Sequence, residues 1–312
     1  MAPIIGITIG DVAGIGPEVI IKAISSCAWP SSLQFRVYSP DGVIEPLCAR
    51  YRVTLKNTQV IRIGTVASDL VSSGRSDEQS GRLALECIKH AVQDNVNGNI
   101  NALVTAPIHK AAIRKVDPAF IGHTELLAQM TKTDQPTMFM IGKRLRVGLV
   151  TTHIALRDVA ASLNRTGIFI TIKHVCQALQ KMGIASPRVA VMSLNPHGSL
   201  DAEADQEEKE YIGPAIREAA AQFQGVEGPF ASDVVFYRAL KGQYDALIAM
   251  YHDQALGAFK MVEFDDGVNM TLGLPFIRTS PDHGTANDIA GKWIANPKST
   301  IESIKLAVQM LG

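Results

Sequence analysis

The chain of 312 residues is 46% hydrophobic and carries 30 basic against 30 acidic residues, enough for one large or two medium domains with real cores. A zero net charge and 6% aromatic content exclude the single-sign field and the stacking surface that nucleic acid or an anionic membrane would need, leaving a small molecule as the expected partner. Widely spaced cysteines without C-x-x-C, no run of eighteen apolar residues and no basic signal region in "MAPIIGITIGDVAG" argue against a zinc ribbon, a disulfide framework, a membrane span and export, and predict a cytoplasmic protein.

In chain order, short β-rich runs alternate with segments of helical period. The first strand, "IIGITIG", runs into "GDVAGIGPEV", where Gly14 and Gly16 allow a tight turn and Pro17 opens a helix. Such a turn aims backbone N–H groups at a ligand, although G-x-G-x-x-G is absent. A strand "QFRVYS" follows, and Ser76 with Gln79 predicts a capping box before the helix "GRLALECIKHAV". Next come the strand "NALVTA" and the turn "GHTELL", whose His123 and Thr124 stand at a helix start. Thr124 is either an ordinary N-cap there or, with His123, part of an anion site.

The strands "TMFMIG" and "LRVGLVTT" precede a helix over 168–182 that stops at Gly183, then come "RVAVMSL", "DALIAMY", "GVNMTLGL" and a closing helix "STIESIKLAVQML". Alternation from end to end predicts an α/β protein with mainly parallel sheet. Eight strands in this length favour two lobes around a cleft, expected at 1–125 plus 270–312 and at 126–269.

Of eight histidines, three end apolar strands: His153 after "RVGLVTT", His197 after "RVAVMSLNP" and His252 after "DALIAMY". Ligand sites of open α/β sheets lie beyond the carboxyl ends of strands, so these imidazoles can converge on a divalent metal with open positions. Each taken singly reads first as a strand-end residue satisfying backbone groups; it is the repetition at three strand ends that points to a metal. His90 and His174 fall inside helical segments, whereas His109, His123 and His283 sit in loops. Residues 255–286 set Lys260, Asn269 and Arg278 nine apart in an apolar, Gly-rich stretch, a suitable phosphate clamp unless each charge pairs with a nearby aspartate.

Taken together, "GDVAGIGPE", "TAPIHK", "GHTELL", "TTHIALRD", "LNPH", "AMYHDQ" and "GVNMTLGLPFIRTSPDHGTA" resemble the 4-hydroxythreonine-4-phosphate dehydrogenase (PdxA) family. The resemblance implies a two-lobed α/β/α subunit like those of isocitrate and isopropylmalate dehydrogenases, with the active site in the cleft between the lobes. It also implies a homodimer with shared sites, NAD or NADP, and a divalent metal such as Zn, Mg or Co. By that resemblance His153, His197 and His252 are metal ligands, and His123, Thr124, Lys260, Asn269 and Arg278 bind substrate. Lys260 and, from "ASDVVF", Asp233 are the candidates for proton transfer. The implied reaction oxidises and decarboxylates 4-phosphooxy-L-threonine to 3-amino-2-oxopropyl phosphate and CO2 in pyridoxal phosphate synthesis. Three other readings stay open: a dehydrogenase of threonate or erythronate 4-phosphate, a dihydrodiol dehydrogenase, and a noncatalytic metal- or phosphosugar-binding module. The chain departs from the family pattern after "NPH", where "GSLDAEADQEEKE" is acidic and poor in glycine.

Overall fold

A computed structural model describes residues 2–198 and 206–312. In chain order its strands are β1 (Ile4–Thr8), β2 (Gln34–Asp41), β3 (Thr58–Thr65), β4 (Ala102–Thr105), β5 (Thr137–Ile141), β6 (Arg146–Leu149), β7 (Val189–Met192), β8 (Val226–Phe230), β9 (Ala246–Ala249), β10 (Val268–Leu272) and β11 (Ile277–Pro281). The chain divides into two compact units, Met1–Asp134 with Leu274–Gly312, and Gln135–Gly273.

In the first unit the strands lie in the order β3-β2-β1-β4-β11, every pair parallel. Their buried aliphatics join Ile20, Ile21 and Ile24 of the helix Gly16–Ser26, and Ile304 and Ala307 of the helix Lys298–Gln309, in one cluster. The chain leaves β1 toward β2 and β3 and returns on the other side as β4. The crevice where order reverses therefore opens at the carboxyl ends of β1 and β4, where "GDVAGIGPE" and "TAPIHK" begin.

In the second unit the order is β10-β5-β6-β9-β7-β8, antiparallel across β10, β5 and β6 and parallel from β6 onward. β5 and β6 are joined by a tight turn whose amides close on one carboxylate. Glu263, 3% exposed, accepts from the backbone N–H groups of Lys143 (3.0 Å), Arg144 (2.6 Å) and Leu145 (3.1 Å). A Cβ on Gly142 would stand 2.3 Å from that side chain, so the turn begins with glycine. Glu263→Gln keeps the shape but loses the charge and one acceptor, leaving a buried amide short of its partner. We expect a loss of about 1–3 kcal/mol, read as a lower urea midpoint at unchanged slope; an unshifted midpoint would remove the clamp from the account of this turn.

Three strands escape the sequence pattern. β3 has a mostly exposed or half-buried face, β8 is "VEGPF" and β11 is "IRTSP", so weak alternation, a Gly-Pro pair and a buried arginine disguise them as loop. The helix Glu78–Val96 is capped one residue later than expected. Asp77 Oδ1 accepts from Ser80 N (2.9 Å) while Ser80 Oγ accepts from Asp77 N (3.1 Å), and Ser76 Oγ instead accepts from Asn287 Nδ2. The helix expected over 168–182 spans Arg165–Lys181, its cap Asn164 accepting from Gly167 N. No helix among the described residues is long and apolar enough to cross a membrane. The four cysteines are free.

Candidate active site

The strands β6, β9 and β7 are neighbours and parallel, so all three end on the same edge of the sheet. His153, His197 and His252 follow those ends within a few residues. Beyond the strands the chain stays zipped: Val150 N and Thr151 N donate to Ala249 O and Met250 O, and Thr151 Oγ1 also donates to Met250 O at 2.7 Å. Gln254 then links the next pair, its Oε1 accepting from Met250 N (2.7 Å) and its Nε2 donating to Ser193 O (2.6 Å).

The imidazoles of His153 and His252 lie with centroids 6.0 Å apart and planes at 39°. His252 Nδ1 is 2.7 Å from Asp253 Oδ1. The carboxylate accepts the Nδ1–H, which leaves the Nε2 lone pair as the outward donor. His197 is exposed and left-handed, φ 72°, a conformation costly for a residue with a Cβ. Among the described residues no group of three or more His, Cys, Asp or Glu stands close enough to hold a metal ion. In this chain the structure brings His153 and His252 together and leaves His197 at the end of the neighbouring strand.

In the first unit a different cluster forms around the end of β4. Arg278 lies on β11 opposite Leu103 and is 2% exposed, and its Nε and Nη2 donate to Thr105 Oγ1 at 3.2 and 2.7 Å. Burial pulls its pKa down to about 10, so the guanidinium stays charged at neutral pH. His123 is half-buried, yet its Nε2 is shut off from solvent and has no hydrogen-bond partner among the described residues. Desolvation first, and then the charges of Arg278 and Lys110, push its pKa well below the ordinary imidazole value, so it is neutral at pH 7.

His123 opens the helix His123–Thr131, whose N-cap is Gly122 with no side-chain cap; Thr124 is not the cap but stands in the first turn. Lys110 Nζ would lie 3.3 Å from a Cβ on Gly122, so glycine leaves room for the lysine. Lys110, within the motif "TAPIHK", is not among the expected site residues, because a lone lysine at a helix start carries no periodic signal. In the same motif His109 proves to be a cap, its Nδ1 accepting from Ala112 N at 3.1 Å.

The loop after β1 differs from expectation. Asp11 N donates to Pro107 O, Ala13 N to Asp11 Oδ1, Gly14 N to Asp11 O and Ile15 N to Thr285 O. These four amides are spent inside the fold rather than aimed at a ligand. Gly10, at φ 76°, and Gly14 are required because a Cβ would stand 2.3 Å from Pro107 O and 2.8 Å from Thr285 O.

Among the remaining expected residues, Lys260 is exposed on the helix His252–Glu263, two turns beyond His252. Asn269 is half-buried in β10 opposite Met140. Asp233 is exposed in the first turn of the helix Ser232–Leu240, its Oδ1 accepting from Val234 N. Of the acidic stretch after His197, residues 199–205 lie outside the described residues.

The family model "Pyridoxal phosphate biosynthetic protein PdxA" matches residues 16–307. The chain is 41% identical to a protein of Desulforapulum autotrophicum named 4-hydroxythreonine-4-phosphate dehydrogenase, over 98% of this chain and 94% of that one. It is 38% identical to the D-threonate 4-phosphate dehydrogenase of Salmonella typhimurium, over 98% of each. The crystal structure of 4-hydroxythreonine-4-phosphate dehydrogenase from Klebsiella pneumoniae is similar with a TM-score of 0.86 at 36% identity, covering 99% of this chain and 98% of that one. Isocitrate dehydrogenase from Methylococcus capsulatus shares the fold at 13% identity, with a TM-score of 0.50 over 99% of this chain and 86% of that one.

Proposed function

The chain belongs to the PdxA family, and from that premise we propose that it is an NAD(P)- and divalent-metal-dependent dehydrogenase that oxidises and decarboxylates 4-phosphooxy-L-threonine. The balance is one substrate and one NAD(P)+ giving 3-amino-2-oxopropyl phosphate, CO2 and NAD(P)H, in pyridoxal phosphate synthesis and in the cytoplasm. The observation that carries the reading is the set of three histidines following three neighbouring parallel strand ends. A bound divalent ion would act as a Lewis acid on the substrate hydroxyl and on the carbonyl that replaces it, while the nicotinamide accepts the hydride.

Imidazoles suit Zn or Co better than Mg, which prefers oxygen donors. His252 is prepared for such a role by Asp253, which holds Nδ1 and so turns Nε2 outward. The ligand set of His153, His197 and His252, shared between two copies in a homodimer, is part of the proposal and rests on the motifs. The phosphate end of the substrate falls to Arg278, charged at neutral pH, to neutral His123 as a hydrogen-bond donor, and to Thr124 with the amides of its helix start. Lys260 and Asn269 carry the same assignment by motif. Lys260 Nζ, or the Asp233 carboxylate, takes the hydroxyl proton as the hydride leaves and returns it to the carbon as CO2 departs.

A second reading is favoured by the similarity to the Salmonella typhimurium D-threonate enzyme: the same steps on threonate 4-phosphate, with dihydroxyacetone phosphate as product. Both substrates present a phosphate, a secondary alcohol and a carboxylate, so the same residues serve either. Absorbance at the reduced nicotinamide band, followed with each acid phosphate and with NAD and NADP separately, tests both readings. We expect kcat/KM for 4-phosphooxy-L-threonine to exceed that for threonate 4-phosphate. The reverse order installs the second reading, and no reduction with either acid leaves a noncatalytic binding module.

A further inference from the structure

The acidic stretch after His197 ends, among the described residues, in a buried carboxylate. Glu208 is 0% exposed, and its hydrogen bonds go to the residues just before His197. Its Oε1 accepts from Leu194 N (2.8 Å) and Asn195 N (2.9 Å), and its Oε2 accepts from Asn195 Nδ2 (2.9 Å). Asn195 Nδ2 also donates to Glu207 Oε2 at 3.0 Å, so two carboxylates determine which way that amide faces. Ser193 Oγ donates to Asn195 O (2.7 Å), and Gln254 Nε2 holds Ser193 O. Residues 193–195, which carry the chain from β7 to Pro196 and the left-handed His197, are therefore gripped at each successive residue.

We propose that Glu208 is the positioning residue for His197: by fixing the backbone of Leu194 and Asn195 it delivers the imidazole in one orientation. The inference rests on the reading of His197 as a metal ligand. A buried carboxylate is costly unless fully paired, and a well-packed apolar side chain would close an ordinary turn at lower cost. What the carboxylate adds is orientation, as charged groups behind metal ligands do. It opens the π-helix Glu208–Ile212, a widened turn that is rare and concentrated at functional sites.

The test is titration of the metal-free full chain with Co2+, reading the visible ligand-field bands and the affinity, for His197→Ala, Glu208→Gln, Asn195→Ala and the double variant His197→Ala with Glu208→Gln. Glu208→Gln retains an acceptor for the backbone amides but turns a donor toward Asn195 Nδ2. We expect it to weaken Co2+ binding by about 10–100-fold and to change the bands, with no further weakening in the His197→Ala background. Should Glu208→Gln not fold, Asn195→Ala carries the same expectation. Full Co2+ affinity in the folded Glu208 or Asn195 variant, or additive losses in the double variant, overturns the positioning role. Full affinity in His197→Ala overturns the metal reading itself.

Discussion

Replacing His252 or His197 by alanine is expected to lower turnover at least ~100-fold, with loss of bound metal in step. The magnitude follows from the role. In the proposed ligand role, losing either imidazole would remove the metal that stabilises developing charge on the alcohol and carbonyl oxygens, and the loss of one such electrostatic contribution costs about two to three orders of magnitude. His252 is the sharper case because Asp253 already commits its Nδ1, so Nε2 is its remaining donor. Metal content by elemental analysis and the rate of nicotinamide reduction are the two measurements. Normal rates with full metal in either variant would falsify the assignment. Sharing has its own test: because His153 and His252 lie together in one chain, His153→Ala and His197→Ala chains, each inactive alone, should recover partial activity after being unfolded and refolded together. Confirmed mixed dimers that stay inactive count against ligands drawn from two copies.

Arg278→Ala is expected to lower kcat/KM for the phosphorylated substrate by about one to two orders of magnitude, since a charge-assisted hydrogen bond contributes roughly 1.5–3 kcal/mol. The loss grows if the contact also sets the alcohol in place. Arg278 is buried against Thr105, and burial pulls its pKa down to about 10, so its charge persists at neutral pH. Arg278→Lys should rescue only partly, because an ammonium cannot reproduce the planar fork. The deciding comparison is phosphorylated against unphosphorylated substrate in wild type and in Arg278→Ala. If the variant keeps the whole preference, the phosphate is held elsewhere; if the wild type has none, the dihydrodiol reading moves forward.

Much of this was legible because strands and helices leave periodic traces. The runs ending at His153, His197 and His252 are fully or largely buried strands, and their apolar character shows in any window of that length. Arg278 stands out in the sequence as a charge among apolar neighbours. That it sits within a strand was not legible, since "IRTSP" satisfies its backbone through pairing with β4, a partner far away in the chain.

The alternating α/β class, the strand ends that carry the histidines, and the separate candidacies of His123 at a helix start and Arg278 in an apolar stretch are written in the sequence, because side-chain type and period are local properties. Tertiary structure alone decided which strands are neighbours, and therefore that His153, His252 and His197 follow adjacent parallel ends. It also decided that the Asp11 and Ile15 amides after β1 are consumed by Pro107 and Thr285, that Lys110 joins His123, and that Glu208 grips the chain before His197. Each of these is a hydrogen bond or charge contact between residues distant along the chain. Their partners exist only once the sheet order is set, so no local pattern in the sequence encodes them.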